Sequence, residues 1–113
     1  MVYVLTVAKN LIVSDKIGII ARSHGFDVIT RTGSDAIAKA KLQQPALIVV
    51  DLQEGTDFLK ELKANGITSL VVGFYPHVKT EIKKQAQNLG FPNIFPNSMM
   101  ENALADFLGR LSH

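Results

Sequence analysis

The stretch Ala46-Leu47-Ile48-Val49-Val50-Asp51 is a run of five apolar residues that ends on a carboxylate. A short segment that is apolar at every position is typical of a parallel strand buried on both faces in the middle of a sheet. Open α/β sheets place their active sites at the carboxyl ends of such strands. We therefore expect Asp51 to lie at the functional edge of a central strand.

Other β-branched runs alternate with segments of helical period on both sides of this stretch. Together they predict five strands, at 2–7, 26–30, 46–50, 69–74 and 93–95. Strands that alternate with helices indicate a parallel sheet covered by crossover helices. The second strand alternates apolar and polar residues and the fifth is short, so we expect both at the edges of the sheet.

The ends of the predicted helices are marked by capping residues. Gly25, Gly66 and Gly90 each precede a strand by a few residues, as expected where a helix ends on a left-handed glycine. Thr56 and Ser98 are predicted N-caps, and Ser98 has the spacing of a capping box with Glu101. These signals place the helices between the strands.

The composition predicts one small globular domain over residues 1–113, because 47% hydrophobic residues can form a single core at this length. The net charge of +2 comes from scattered rather than clustered Lys and Arg residues, so we expect no nucleic-acid partner. The absence of cysteine excludes disulfides and thiolate chemistry. No basic signal region precedes the first apolar run and no segment has the roughly 18 apolar residues of a membrane span, so we expect a cytoplasmic protein without membrane contact.

The order and lengths of these elements resemble the receiver domain of response regulators. The resemblance covers essentially the whole chain and rests on the strand that ends at Asp51, the helix-to-strand joint at 86–91 and the final capped helix. It implies a flavodoxin-like three-layer α/β/α sandwich, with five parallel strands in the order 2-1-3-4-5.

The residues that the resemblance implies for the site are mostly replaced. In receivers, two acids after the first strand and the aspartate that ends the third hold Mg²⁺, and this aspartate accepts the phosphoryl group. A hydroxyl at the end of the fourth strand and a lysine at the end of the fifth contact the phosphate. Counted from Gly25 and Gly90, only Asp51 is retained, and the other positions are occupied by Ala8, Lys9, Tyr75 or its neighbour Gly73, and Asn97.

One carboxylate beside an ammonium group is a poor Mg²⁺ site, because Mg²⁺ needs near-octahedral oxygen coordination. Phosphoryl transfer also depends on the metal and on basic groups that absorb the developing charge. We expect no metal, no cofactor, no enzyme activity and little or no phosphorylation. The predicted function is a stand-alone pseudo-receiver that acts as a phosphorylation-independent interaction or signalling module.

Two other functions stay open. The strand-end cleft of this fold accommodates small ligands, so the domain could bind a nucleotide or another phosphorylated metabolite. Alternatively, the chain is an atypical receiver that is still phosphorylated on Asp51, with Glu54 as the missing acid.

Three residues near Asp51 have competing interpretations. Lys9 either pairs with Asp51 in place of the metal, or stays hydrated while backbone N–H groups hold the carboxylate. Tyr75 is either an aromatic switch beside Asp51 or a strand-end tyrosine that covers the sheet. His77 has no second histidine or acid at ligand spacing, and the other histidines, His24 and His113, do not complete a metal site.

A domain without catalysis has to act by docking. The resemblance places the docking surface on the fourth helix, fifth strand and fifth helix, with Tyr75, His77, Lys79, Lys83, Phe95, Pro96, Asn97, Asp106 and Arg110. We expect a signalling protein as partner at this surface. A homodimer through the same surface is a second expectation, because Phe91, Phe95 and Pro96 put apolar area near an edge strand.

Overall fold

Strands and helices alternate along the whole of the computed structural model, which describes residues 2–112. The strands are β1 (Tyr3–Val7), β2 (Asp27–Thr30), β3 (Leu47–Asp51), β4 (Val71–Tyr75) and β5 (Ile94–Pro96). The helices are α1 (Leu11–Ser23), α2 (Gly33–Leu42), α3 (Asp57–Ala64), α4 (Thr80–Asn88) and α5 (Met100–Leu111). A 3₁₀ turn, Asn97–Met99, joins β5 to α5. His113 lies outside the described residues.

All strand pairs are parallel, and the sheet has the order β2-β1-β3-β4-β5. The predicted flavodoxin-like order is therefore confirmed, with β3 central and with β2 and β5 at the edges. One face of the sheet packs on α2, α3 and α4, and the other face packs on α1 and α5. Side chains of β3 alternate between these two layers because successive strand residues point to opposite faces.

The predicted C-termini of the helices are confirmed, but the predicted N-caps are confirmed only in part. Gly25, Gly66 and Gly90 all have positive φ, as predicted for glycines that terminate helices. The predicted capping box at Ser98 is wrong: Ser98 lies inside the 3₁₀ turn, and Met99 is the N-cap of α5. Because the 3₁₀ turn follows β5, α5 begins only at Met100, later than predicted. Thr56 is the N-cap of α3, but its side chain makes no capping hydrogen bond.

Thr6 is a fully buried residue of β1 whose Oγ1 has no hydrogen-bond partner within the described residues. A buried hydroxyl without a partner retains its desolvation cost. Thr6→Val keeps the side-chain shape, so we expect it to raise the free energy of unfolding by on the order of 1 kcal/mol. Urea denaturation measures this change. The exposed Thr30, which pairs with Thr6 on β2, provides the control, since Thr30→Val should change stability by less than about 0.5 kcal/mol. A loss of stability in Thr6→Val would show that the hydroxyl is hydrogen-bonded.

Candidate functional site

A cleft of about 660 Å³ lies at the carboxyl edge of the sheet, between the ends of β1 and β3. This is the point where the sheet order reverses, since β1 leads to β2 on one side and β3 leads to β4 on the other. Open α/β sheets bind ligands at this position. The residues that line the cleft are Val7, Ala8, Lys9, Asn10, Thr32, Gly33, Val50, Asp51, Gln53, Glu54, Gly55, Asp57, Phe58 and Glu61.

Asp51 is the last residue of β3 and is only partly exposed. Its Oδ1 accepts a hydrogen bond from the Gln53 backbone N–H at 3.1 Å. Burial is the main influence on the pKa of Asp51 and raises it above the ordinary value. The hydrogen bond from Gln53 lowers this pKa and the nearby charge of Glu54 raises it, and the net direction is upward.

Lys9 lies at the mouth of the cleft and pairs with Glu54, with Nζ 3.4 Å from Oε2. The two side chains are 74% and 76% exposed, so this pair is hydrated and contributes at most about 1 kcal/mol. Within residues 2–112, Asp51 has no ion-pair partner. The interpretation in which Lys9 replaces the metal by pairing with Asp51 is therefore wrong. Asp51 is held by a backbone N–H of its own loop, as the alternative predicted.

Asn10 is a cleft residue that sequence reasoning missed. Its Oδ1 accepts hydrogen bonds from the backbone N–H groups of Ile12 at 2.9 Å and Val13 at 3.3 Å, so it caps α1. The signal was present in the sequence, because an asparagine directly before an apolar helical run is a favoured N-cap. The cap fixes the start of α1 directly after Ala8 and Lys9, which also line the cleft.

The structure brings Ala8, Lys9 and Asp51 together but leaves the other pocket positions out of the cleft lining. Tyr75 is only 6% exposed and packs in the core layer beneath α2, α3 and α4. This agrees with a strand-end tyrosine that covers the sheet rather than an exposed switch. Asn97 begins the 3₁₀ turn, and its buried Oδ1 has no hydrogen-bond partner within the described residues.

Gly73 lies inside β4, opposite Val50, and is required by packing. A Cβ atom at this position would lie 2.8 Å from Leu52 Cδ1 and 2.9 Å from Ile94 Cδ1. Both neighbours are fully buried or nearly so, and they leave no space for a side chain. Gly73 therefore serves the core and supplies no group to the cleft.

Gly73→Ala is expected to lower the free energy of unfolding by about 1–3 kcal/mol, because the added methyl group overpacks the contact between Leu52 and Ile94. Gly109→Ala is the matched control, since a Cβ there meets no atom within 4 Å. Because Gly109 lies within α5, this control should instead gain about 0.5–1 kcal/mol. Urea denaturation of both variants measures the two changes. Equal effects of the two substitutions would contradict the close packing at Gly73.

The residues of the cleft do not fit Mg²⁺. Its carboxylates come from Asp51, Glu54, Asp57 and Glu61, but Glu54 is paired with Lys9, and Asp57 lies 3.7 Å from the ammonium of Lys60. In the described part of the chain, no three histidine, aspartate or glutamate side chains converge in a metal-binding arrangement. The donor set therefore lacks the convergent oxygen ligands that Mg²⁺ requires.

The predicted docking surface is only partly available to a partner. His77, Lys79, Asp106 and Arg110 are exposed, Lys83, Phe95, Pro96 and Asn97 are partly buried, and Tyr75 is buried. Tyr75 is thus corrected to a core residue, because its ring fills space between the sheet and the helices. The exposed part of this surface is mainly charged.

Several side chains of this surface are already engaged within the chain. The ring of Phe95 lies 6.2 Å from each of the rings of Phe74 and Phe107, so it packs inward. Arg110 pairs with Asp106 at 2.8 Å and lies over the Phe107 ring. Lys79 Nζ donates to the backbone carbonyl of Gln53 at 3.1 Å, which connects the start of α4 to the loop after Asp51.

The chain is similar in structure to several response regulators and their receiver domains. The chain is similar to a receiver domain from Clostridium thermocellum, with 15% identity over 97% of this chain and 96% of that one, and a TM-score of 0.75. It is also similar to a LuxR-family DNA-binding response regulator from Staphylococcus aureus, with 12% identity, 100% coverage of both chains and a TM-score of 0.81. A third similar structure is the chemotaxis response regulator CheY4 of Vibrio cholerae, with 19% identity, 98% coverage of both chains and a TM-score of 0.78.

At these identities the likeness establishes the fold: the chain has the receiver fold, as the sequence predicted. No family model matches the chain, and no curated protein matches it. None of the helices within residues 2–112 combines the length and hydropathy that a bilayer span requires.

Asp51→Asn is expected to raise the melting temperature at neutral pH. The pKa of Asp51 is raised in the folded state, so ionised Asp51 destabilises the fold relative to the unfolded chain. The destabilisation develops as the pH rises from the ordinary value of 3.8 through the higher folded-state pKa. The advantage of Asp51→Asn should therefore shrink toward about pH 3, where the carboxyl group is neutral in both states.

Thermal unfolding at neutral pH and at about pH 3 measures this dependence. The exposed Asp27 at the start of β2 provides the control, and Asp27→Asn should change the melting temperature little at either pH. A melting temperature lowered by Asp51→Asn at neutral pH would show that the surroundings stabilise the carboxylate.

Proposed function

We propose that this protein is a cytoplasmic pseudo-receiver, a module that docks to a signalling protein without phosphorylation and without enzyme activity. The observation that carries the proposal is the arrangement of Lys9, Glu54 and Asp51. A lysine stands where the receiver pattern has a metal-binding acid, and it pairs with Glu54. Asp51 is left as a carboxylate held by a backbone N–H, with its pKa raised by burial.

The hydrogen bond from Lys79 supports the same function. It connects the loop that follows Asp51 with the start of α4 directly, through the Lys79 side chain and the Gln53 carbonyl. The proposed docking surface begins at this helix, with His77 and Lys79 exposed to solvent. This contact links the loop after Asp51 to the proposed docking surface, so the two are coupled by residues of the chain itself.

The two other functions receive less support. The cleft is large enough for a small ligand, but its walls carry four carboxylates and one ammonium group, so a nucleotide or phosphorylated metabolite would meet repulsion. An atypical receiver needs Glu54 as a metal-binding acid, whereas Glu54 pairs with Lys9 and is 76% exposed. The charges and contacts in the cleft therefore favour the docking module.

The test is the intact mass of the protein after incubation with Mg²⁺ and acetyl phosphate. We expect no phosphoryl adduct in the natural protein, because neither metal ligands nor basic groups converge on Asp51. Asp51→Asn is the negative control. The double variant Ala8→Asp, Lys9→Asp returns two acids to the end of β1 and tests whether their loss is the cause.

An adduct on the natural protein that disappears in Asp51→Asn would contradict the proposal and establish a working phosphorylation site. An adduct found only in the double variant would show that the residues at positions 8 and 9 prevent phosphorylation of the natural protein. Mass spectrometry of the digested protein locates any adduct on the chain.

A further inference from the structure

The outer face of α1 exposes large apolar side chains to solvent. Leu11, Ile12 and Ile19 are 76%, 80% and 67% exposed. Ile12 and Ile19, seven residues apart, lie on the side of the helix away from the buried Ile17 and Ala21, and Leu11 lies at the flank of this side. A cluster of exposed apolar residues on one helix face marks an interaction site more often than isolated ones do. This surface, defined as the α1 face, is separate from the proposed docking surface on α4, β5 and α5.

Two charged residues of opposite sign lie within the α1 face. Asp15 and Arg22 are both exposed, and neither has an ion-pair partner in the part of the chain that the structure describes. The Arg22 guanidinium folds back over Gly18, where an added Cβ atom would lie 3.1 Å from Nη1. By contrast, Lys16 at the edge of the face pairs with Glu101 of α5 at 3.6 Å. Asp15 and Arg22 are therefore free to pair with another molecule.

The spacing of these charges makes the face complementary to itself. Asp15 and Arg22 are seven residues apart, which puts them on the same side of the helix about 10 Å apart along its axis. An antiparallel copy of α1 related by a twofold axis brings each Asp15 next to Arg22 of the partner subunit. A parallel copy would instead bring like charges together, so the charge pattern selects the antiparallel arrangement.

We propose that the protein forms a homodimer through antiparallel packing of its α1 faces. The twofold axis passes between positions 18 and 19, so the exposed Ile19 side chains of the two subunits lie close to the axis. Leu11 and Ile12 cover the outer ends of the contact. Two Asp15–Arg22 pairs flank the apolar centre and fix the register of the two helices.

This inference does not depend on the proposed function, because the α1 face and the docking surface share no residue. The consequence for docking is that each dimer presents two copies of the α4–β5–α5 surface. A partner that is itself dimeric would then bind more tightly than a single contact allows, through the high effective concentration of the second site.

Sedimentation velocity over a range of protein concentrations tests the dimer. We expect the natural protein to form dimers as the concentration rises. Asp15→Arg and Arg22→Asp each bring like charges together across the twofold axis, so each should weaken dimerisation by about tenfold or more. The double variant Asp15→Arg, Arg22→Asp restores opposite charges and should dimerise as the natural protein does.

An equimolar mixture of the two single variants provides a second rescue, since Asp15→Arg and Arg22→Asp are complementary and should form a heterodimer. Leu42→Lys is the control for exposed apolar residues in general, because Leu42 is 82% exposed on α2. Circular dichroism checks that each variant is folded.

A natural protein that stays monomeric up to a concentration of about 1 mM would overturn the proposal, because a specific dimer contact assembles below that concentration. Dimers that persist unchanged in both single charge variants would overturn it as well. Dimers that are weakened by Leu42→Lys, or by charge changes at Asp106 and Arg110 rather than at Asp15 and Arg22, would place the contact on another surface.

Discussion

The fold depends on the complete burial of β3 between β1 and β4. Residues Leu47 to Val50 are at most 1% exposed and pair in parallel with strands on both sides. Their side chains reach both core layers, so α1 and α5 on one face and α2, α3 and α4 on the other all pack on this strand or its neighbours. An unpaired charge in the buried part of this strand would be costly. Asp51 is the last residue of β3, where the side chains become partly exposed.

The fold and the charge of the cleft depend on different residues. Backbone pairing and core packing position Asp51, and neither depends on the charged side chains that line the cleft. The close packing of Leu52 and Ile94 requires a glycine at position 73, and Tyr75 fills the core. Lys9, where the chain leaves β1, adds a positive charge to the cleft lining without disturbing the sheet.

Two outer surfaces of the protein differ in the side chains that they expose. The surface of α4, β5 and α5 is largely charged, and its aromatic ring at Phe95 packs inward. The α1 face combines exposed apolar residues with opposite charges that have no ion-pair partner among the described residues. The sequence predicted an exposed apolar area around Phe91, Phe95 and Pro96. In the structure these three residues are partly buried, so part of that area is covered.

The apolar runs and glycines of the sequence determined the central position of β3, the glycine helix ends and the place of Asp51, because they report local backbone preference and burial directly. The strand order followed only from the resemblance to receiver domains, and the structure confirmed it. Tertiary structure decided which groups meet. It paired Lys9 with Glu54 instead of Asp51, buried Tyr75, and moved the start of α5 past Ser98. These outcomes depend on distances of a few ångströms between segments that are far apart in the chain, and residue patterns do not encode such distances.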